Sequence, residues 1–244
     1  MFEPKAILRF AAILAATFAL LMWPWPAWHR AYASYIRGLG DAAFSQFWFW
    51  PAGSVRFVDL RSPGVFEKVG ALIPVQLPEE YRTNDRFRPE GERDTLLLLQ
   101  NRNTPGSFGI LRTSSRGIAY WPTAALIALV LATPVAWRRK AWIFVWAVIG
   151  IHLFILVRLS VYVAANGFFD RTKKYCLYEC GDFVFGMFRR LETVLCDNPT
   201  VSFVVPVFIW LIVLFGMLLW SSWREGIASS TTPRSARRAR RMER

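Results

Sequence analysis

Long apolar runs separated by polar segments dominate the chain: Phe10 to Trp23, Ala119 to Ala136, Ala141 to Ala164 and Val201 to Trp220. A helix needs about 20 predominantly apolar residues to cross a ~30 Å hydrocarbon core, so these runs predict membrane spans. The stretch from Ser114 to Ala165 is the centre of the pattern. It reads as two spanning helices joined by a tight basic turn, Trp137-Arg138-Arg139-Lys140. The first run ends in Trp-Pro-Trp-Pro-Ala-Trp, and tryptophan anchors a span at the water interface, which favours a retained span over a cleaved leader.

Between the first and second runs the pattern changes twice. Tyr32, Tyr35, Ile36, Leu39, Ala43, Phe44 and Phe47 recur at mixed helical spacing and predict an amphipathic or interfacial helix over 32–49. After Pro51 come short runs with strand character: Val55 to Leu60, Asp94 to Gln100 and Ser107 to Thr113. The last two are separated by the turn-rich Asn101 to Gly106 and resemble a hairpin. Pro78 to Arg93 mixes charges of both signs without apolar periodicity, which predicts a solvated loop.

The expected architecture is an α-helical integral membrane protein with four transmembrane helices and a mixed α+β extracytoplasmic domain between spans 1 and 2. Its segments are an N-terminal span (1–30), the outward domain (31–118), a helical hairpin (119–165), a cysteine-containing outward loop (166–199), a last span (200–223) and a basic tail (224–244). Composition agrees, with 54% hydrophobic residues, 12 Trp and 20 Phe in 244 residues. The formal charge of +13 sits largely in short segments flanking the runs, so topology accounts for it and nucleic acid is not an expected partner. Lys5 and Arg9, the basic turn and the terminal arginines share one side if there are four spans. The positive-inside rule makes that side cytoplasmic, with both termini inside a bacterial inner membrane. The arginine-rich tail is expected to be disordered along anionic headgroups, each basic residue contributing on the order of 1 kcal/mol.

Candidate chemistry is sparse. Arg158 lies within an apolar run, where an arginine costs roughly 2.5 to 3.5 kcal/mol on insertion scales, and no run holds a carboxylate to neutralise it. It must reach headgroups, carbonyls, or an outward carboxylate such as Asp170 or Asp197. Snorkelling is the plain account, and a fixed cation able to hold a carboxylate or an oxyanion is the functional one. His29 reads as an interfacial anchor, and His152, about 120° around the helix from Arg158, as a helix–helix hydrogen-bonding group. Cys176-x3-Cys180 lacks zinc spacing and a nearby histidine, so no metal or cofactor is expected. In an outward loop Cys176 or Cys180 could pair with Cys196.

Ser115-Arg-Gly-Ile at the mouth of one run, the basic turn, and Val157-Arg158-Leu159 closing the next resemble the central hairpin of the exosortase and archaeosortase proteins. Tyr35-Ile-Arg-Gly-Leu-Gly-Asp-Ala-Ala-Phe44 resembles a segment many of them carry after an early span. Those are multi-pass membrane cysteine transpeptidases that process C-terminal sorting signals of secreted proteins. The resemblance implies a catalytic cysteine at Ser114 or Ser115, the helix-borne arginine at Arg158, and a histidine around 197–202. Only the arginine is matched here. A serine hydroxyl has a far higher pKa than a thiol and requires a base, and no histidine stands at the implied place, so the implied role is a non-catalytic binding or assembly subunit in an envelope system, with membrane-protein partners and a secreted polypeptide as ligand. The alternative is a divergent transpeptidase using Ser114 or Ser115 with Arg158.

Overall fold

The computed structural model describes residues 4–23, 26–45, 53–62, 65–72, 93–101, 108–168 and 181–230. The expected 78–93 loop (apart from Arg93), most of the 101–106 connection, Asp170, Cys176, Cys180 and the tail beyond 230 lie outside them. In order, the elements are α1 (Pro4–Met22), α2 (Pro26–Phe44), β1 (Gly53–Asp59), α3 (Val65–Leu72), β2 (Thr95–Asn101) and β3 (Phe108–Thr113). Then come α4 (Trp121–Ala132), α5 (Trp137–Val163), α6 (Asp182–Glu192) and α7 (Val201–Ser230). Wide π turns precede α4 (Arg116–Tyr120), follow α5 (Ala164–Phe168) and follow α6 (Thr193–Asp197).

Three helices are long and apolar enough to cross a membrane: Pro4–Met22, Trp137–Phe168 and Val201–Trp220. This is a membrane protein, predominantly helical, with one small sheet. The fourth apolar helix, Arg116–Ala132, is shorter, yet it is the centre of the bundle, packed against α1, α5 and α7. That position explains its composition: a helix walled on several sides is apolar all round, and its alanines let neighbours approach. On α5 the stripe Ile143, Ala147, Ile151 and Ile155 is wholly buried, while Trp142, Trp146, Leu153 and Val157 are exposed. An apolar outer face of that kind suits hydrocarbon rather than water.

Three helix limits differ from those expected, the first being that α2 begins at Pro26, a residue suited to a helix's first turn, rather than at Tyr32. The connection in the hairpin is Thr133 to Ala136, and Trp137-Arg-Arg-Lys140 forms the first turn of α5. Pro134 is the cause: it forces Thr133 into extended backbone (φ −60°, ψ 124°) and so ends α4 four residues before the basic cluster. The last helix continues to Ser230, past the expected end at 223, because nothing before Pro233 breaks it except Gly226, which costs only about 1 kcal/mol.

The sheet is antiparallel in the order β1-β2-β3, with Val55 opposite Leu99 and Leu97 opposite Leu111. The Leu96 to Leu99 run does not alternate in polarity because both faces of β2 are covered. Leu97 and Leu99 join Val55, Phe57 and Leu111 in the core shared with α2 and α5, while Leu96 and Leu98 join Val58, Leu60 and Val69 beneath α3. Polar ties hold α2 to the sheet: Phe57 N–H donates to Asp41 Oδ1 at 2.8 Å, and Arg37 pairs with Asp59 at 2.8 Å. The sheet in turn grips the end of α5, since Tyr162 Oη donates to the Arg112 carbonyl at 2.7 Å. The sheet domain is thereby fixed over the end of the bundle where Arg158 lies.

Candidate functional site

Arg158 is 3% exposed and turned into the protein. Its Nη1 donates to the carbonyls of Gly117 (3.2 Å) and Ile118 (3.1 Å) and to Ser202 Oγ (2.8 Å), and its Nη2 to the Cys196 carbonyl (3.1 Å). Of the destinations open to it, carbonyls and a hydroxyl are the ones used. Among the described residues it makes no ion pair.

Local sequence explains why those carbonyls need a donor. In the π turn before α4 the Trp121 N–H is taken by the Arg116 carbonyl. Gly117 O would then look five residues on, and Ile118 O four residues on, to position 122, which is proline and has no N–H. The guanidinium supplies what Pro122 lacks. Such orphan carbonyls are tolerated inside a bundle only where a neighbouring helix satisfies them. The fourth acceptor, Cys196 O, belongs to the π turn that ends α6, where carbonyls lack helical partners and a cation is electrostatically favoured. One side chain therefore joins the beginnings of α4 and α7 to the end of α6.

A guanidinium has five N–H donors, and among the described residues this one leaves Nε–H and one Nη2–H without an acceptor. Nε is buried without a partner among the described residues. Arg158 lines a chamber of about 240 Å³ together with Arg93, Arg112, Ser114, Trp121, Cys196, Asp197 and Ser202. Among the described residues Trp121 Nε1 is a second buried donor without a partner lining it. Donor N–H groups of this kind are the ones that hold carboxylate or phosphate oxygens.

Ser114 and Ser115 part company. Ser114 is in the Arg158 chamber, where its Oγ accepts the Gly117 N–H at 3.2 Å. Ser115 is 4% exposed and opens on a separate cavity of about 270 Å³ beside His29, Tyr32 and Asp94. Its N–H donates to Asp94 Oδ1 at 3.0 Å and its hydroxyl to Asp94 Oδ2. Thr95 Oγ1 donates to the same carboxylate at 3.0 Å. Asp94 thus caps the start of the helix, which commits Ser115 to structure. Ser202, missed as an individual position, completes the cluster; its signal in the sequence was only its place at the mouth of the last apolar run.

Cys196 is a free thiol whose Sγ donates to the Arg158 carbonyl at 3.6 Å. Burial pushes it up to about 11, with Arg158 pulling the other way, so it is protonated at neutral pH and a poor nucleophile. His152 is remote from this chemistry. Its Nδ1–H donates to the Val148 carbonyl at 2.7 Å, and its Nε2 is hydrogen-bonded with Tyr35 Oη at 2.8 Å. His29 packs edge-on against Tyr120 with ring centroids 4.9 Å apart. No imidazole lines the Arg158 chamber. Among the described residues no group of three or more His, Cys, Asp or Glu side chains could hold a metal ion.

Comparison with protein-family models, curated proteins and solved structures finds no match to this chain.

Proposed function

We propose that this is a four-span protein of a bacterial inner membrane, with both termini cytoplasmic, that binds an anionic group of a secreted polypeptide in the Arg158 chamber. In this reading it is a non-catalytic relative of the exosortases, serving as a binding or assembly subunit of an envelope protein-sorting or polysaccharide-linked system. The observation that carries the binding role is the pair of buried donors, Arg158 Nε and Trp121 Nε1, that line one chamber with no partner among the described residues. The kinship is supported by Ser114, Arg158 and Ser202 meeting in one chamber, since these occupy the places where the family resemblance implies Cys, Arg and His. The topology is supported by Lys5, Arg9 and Lys140 lining one cleft of about 470 Å³ at the opposite end of the bundle.

The groups around Ser114 support the non-catalytic reading. Its hydroxyl has no imidazole beside it, and an unactivated serine is a weak nucleophile. The second reading, a serine-type transpeptidase, rests on Asp197 lining the same chamber and serving as base. A photo-crosslinking residue at position 121, which lines the same chamber and leaves Ser114 intact, separates the outcomes in intact cells, with exposed position 183 as control. A protease-sensitive polypeptide adduct confined to 121, of the same mass in Ser114→Ala and Asp197→Ala backgrounds as without them, is expected. A lipid adduct alone, or none, sinks the binding role, and processing of the adduct that requires Ser114 and Asp197 establishes the enzyme.

A further inference from the structure

At the basic end of the bundle α5 and α7 part. Elsewhere they are clasped: Arg158 bonds Ser202 at 2.8 Å, and a Cβ on Gly150 would lie 2.9 Å from Ile209 Cγ2. One further step along, the space beside Gly216 is open, with no atom within 4 Å of where its Cβ would sit. The result is a cavity of about 840 Å³, within the roughly 300–1,000 Å³ range of ligand-holding pockets.

Its walls follow from helical spacing. Arg139, Trp142, Ile143 and Trp146 form one face of α5, and Val213, Gly216, Met217 and Trp220 the facing stripe of α7. Both sets step i, i+3, i+4, i+7, so each is a single ridge along its helix. Trp142, Trp146 and Trp220 are all more than half exposed, at 64%, 56% and 54%. The walls are otherwise apolar or aromatic, and among the described residues the one charged lining group, Arg139, lies in the first turn of α5 beside Arg138 and Lys140.

We propose that this groove is a specific site for one anionic phospholipid, its phosphate on Arg139 and an acyl chain along the tryptophans toward Gly216. Charge decides between occupants. A second transmembrane helix filling the groove would have to bring its own acid to Arg139, because among the described residues no carboxylate lines the cavity. A phospholipid carries anion and hydrocarbon in the required order, and basic pockets between spans are recognised lipid headgroup sites. Tryptophan at this depth belongs to the interfacial belt, where an amphipathic ring meets both parts of a lipid. The site is distinct from the Arg158 chamber and does not depend on its function.

The test is native mass spectrometry of the full chain, released from micelles holding equal amounts of phosphatidylglycerol and phosphatidylcholine with identical acyl chains. Wild type retains phosphatidylglycerol at least about five-fold over phosphatidylcholine, the ratio expected of one basic residue near a headgroup. Arg139→Gln removes that preference, Arg138→Gln keeps it, and Gly216→Leu, which fills the groove, lowers retention of both lipids. Equal retention by wild type overturns the proposal. So does an equal loss in Arg138→Gln, which would indicate diffuse attraction to basic residues. A dimer in place of the lipid adduct, broken by Gly216→Leu, gives the groove to a second copy and overturns it too.

Discussion

Replacing Arg158 with methionine isolates its structural task, because methionine fills similar length without donors. Four acceptors lose their partner, and two of these contacts, to Ile118 O and Ser202 Oγ, are fully buried. Interhelical hydrogen bonds in membrane proteins average about 0.6 kcal/mol with a maximum near 1.7. An orphaned buried acceptor costs roughly 1–3 kcal/mol, while removing a buried cation gives some of this back. The expected loss for Arg158→Met is therefore about 2–4 kcal/mol. The decisive comparison is with Pro122→Ala, which restores the N–H that the Gly117 and Ile118 carbonyls lack. In wild type the new donor competes for carbonyls already held, and stability should move by less than about 1 kcal/mol. In the Arg158→Met background it should recover about 1 kcal/mol. Unfolding of all four proteins in a dodecyl sulfate titration, followed by far-UV circular dichroism, yields the coupling energy of the cycle. Coupling below about 0.5 kcal/mol, within ordinary additivity, would refute the account of Arg158 as donor for a proline-broken turn.

Other consequences are as direct. With Cys176→Ser and Cys180→Ser leaving Cys196 as the sole thiol, its thiolate fraction at pH 8 should be about a hundred-fold below that of a thiol at its ordinary value of 9.0, given its rise to about 11. Alkylation should be correspondingly slow and accelerate toward pH 11; a midpoint at or below 9 contradicts the burial argument. Because this pKa is raised on folding, its contribution to stability is complete below pH 9 and is lost as pH climbs from 9 through 11, which denaturant titrations across that window should register. Gly40→Ala puts a Cβ 2.6 Å from the buried Phe57 ring and should cost about 1–3 kcal/mol. Gly38→Ala on the same helix meets nothing within 4 Å and should be neutral or stabilising by up to about 1 kcal/mol. Thermal melts of the pair should diverge in sign, and similar melting temperatures would contradict the packing of α2 on the sheet. Asp94→Ala strips the cap from Ser115 and should lower stability by about 1–2 kcal/mol, read by the same melts; an unchanged melting temperature would mean the cap is dispensable.

The sequence by itself determined the membrane class, the apolar helices and the three strands, because each is encoded locally: unbroken apolar length for spans, short β-prone runs between turn residues for strands. Proline rules, properly weighed, also contain the true hairpin connection, since Pro134 forbids helix at Thr133 however basic the following turn. What the pattern could not contain was which helix lies at the centre. The shortest apolar helix takes that place, and length favours the others; only packing against three neighbours reveals it. The same holds for the site. Arg158 was conspicuous as a cation without a carboxylate, but its partners are backbone carbonyls, and carbonyls have no signature in residue identity. Ser114 and Ser115 are adjacent and chemically identical, yet a helix turns successive side chains by about 100°, so tertiary structure alone put one in the arginine chamber and the other under Asp94.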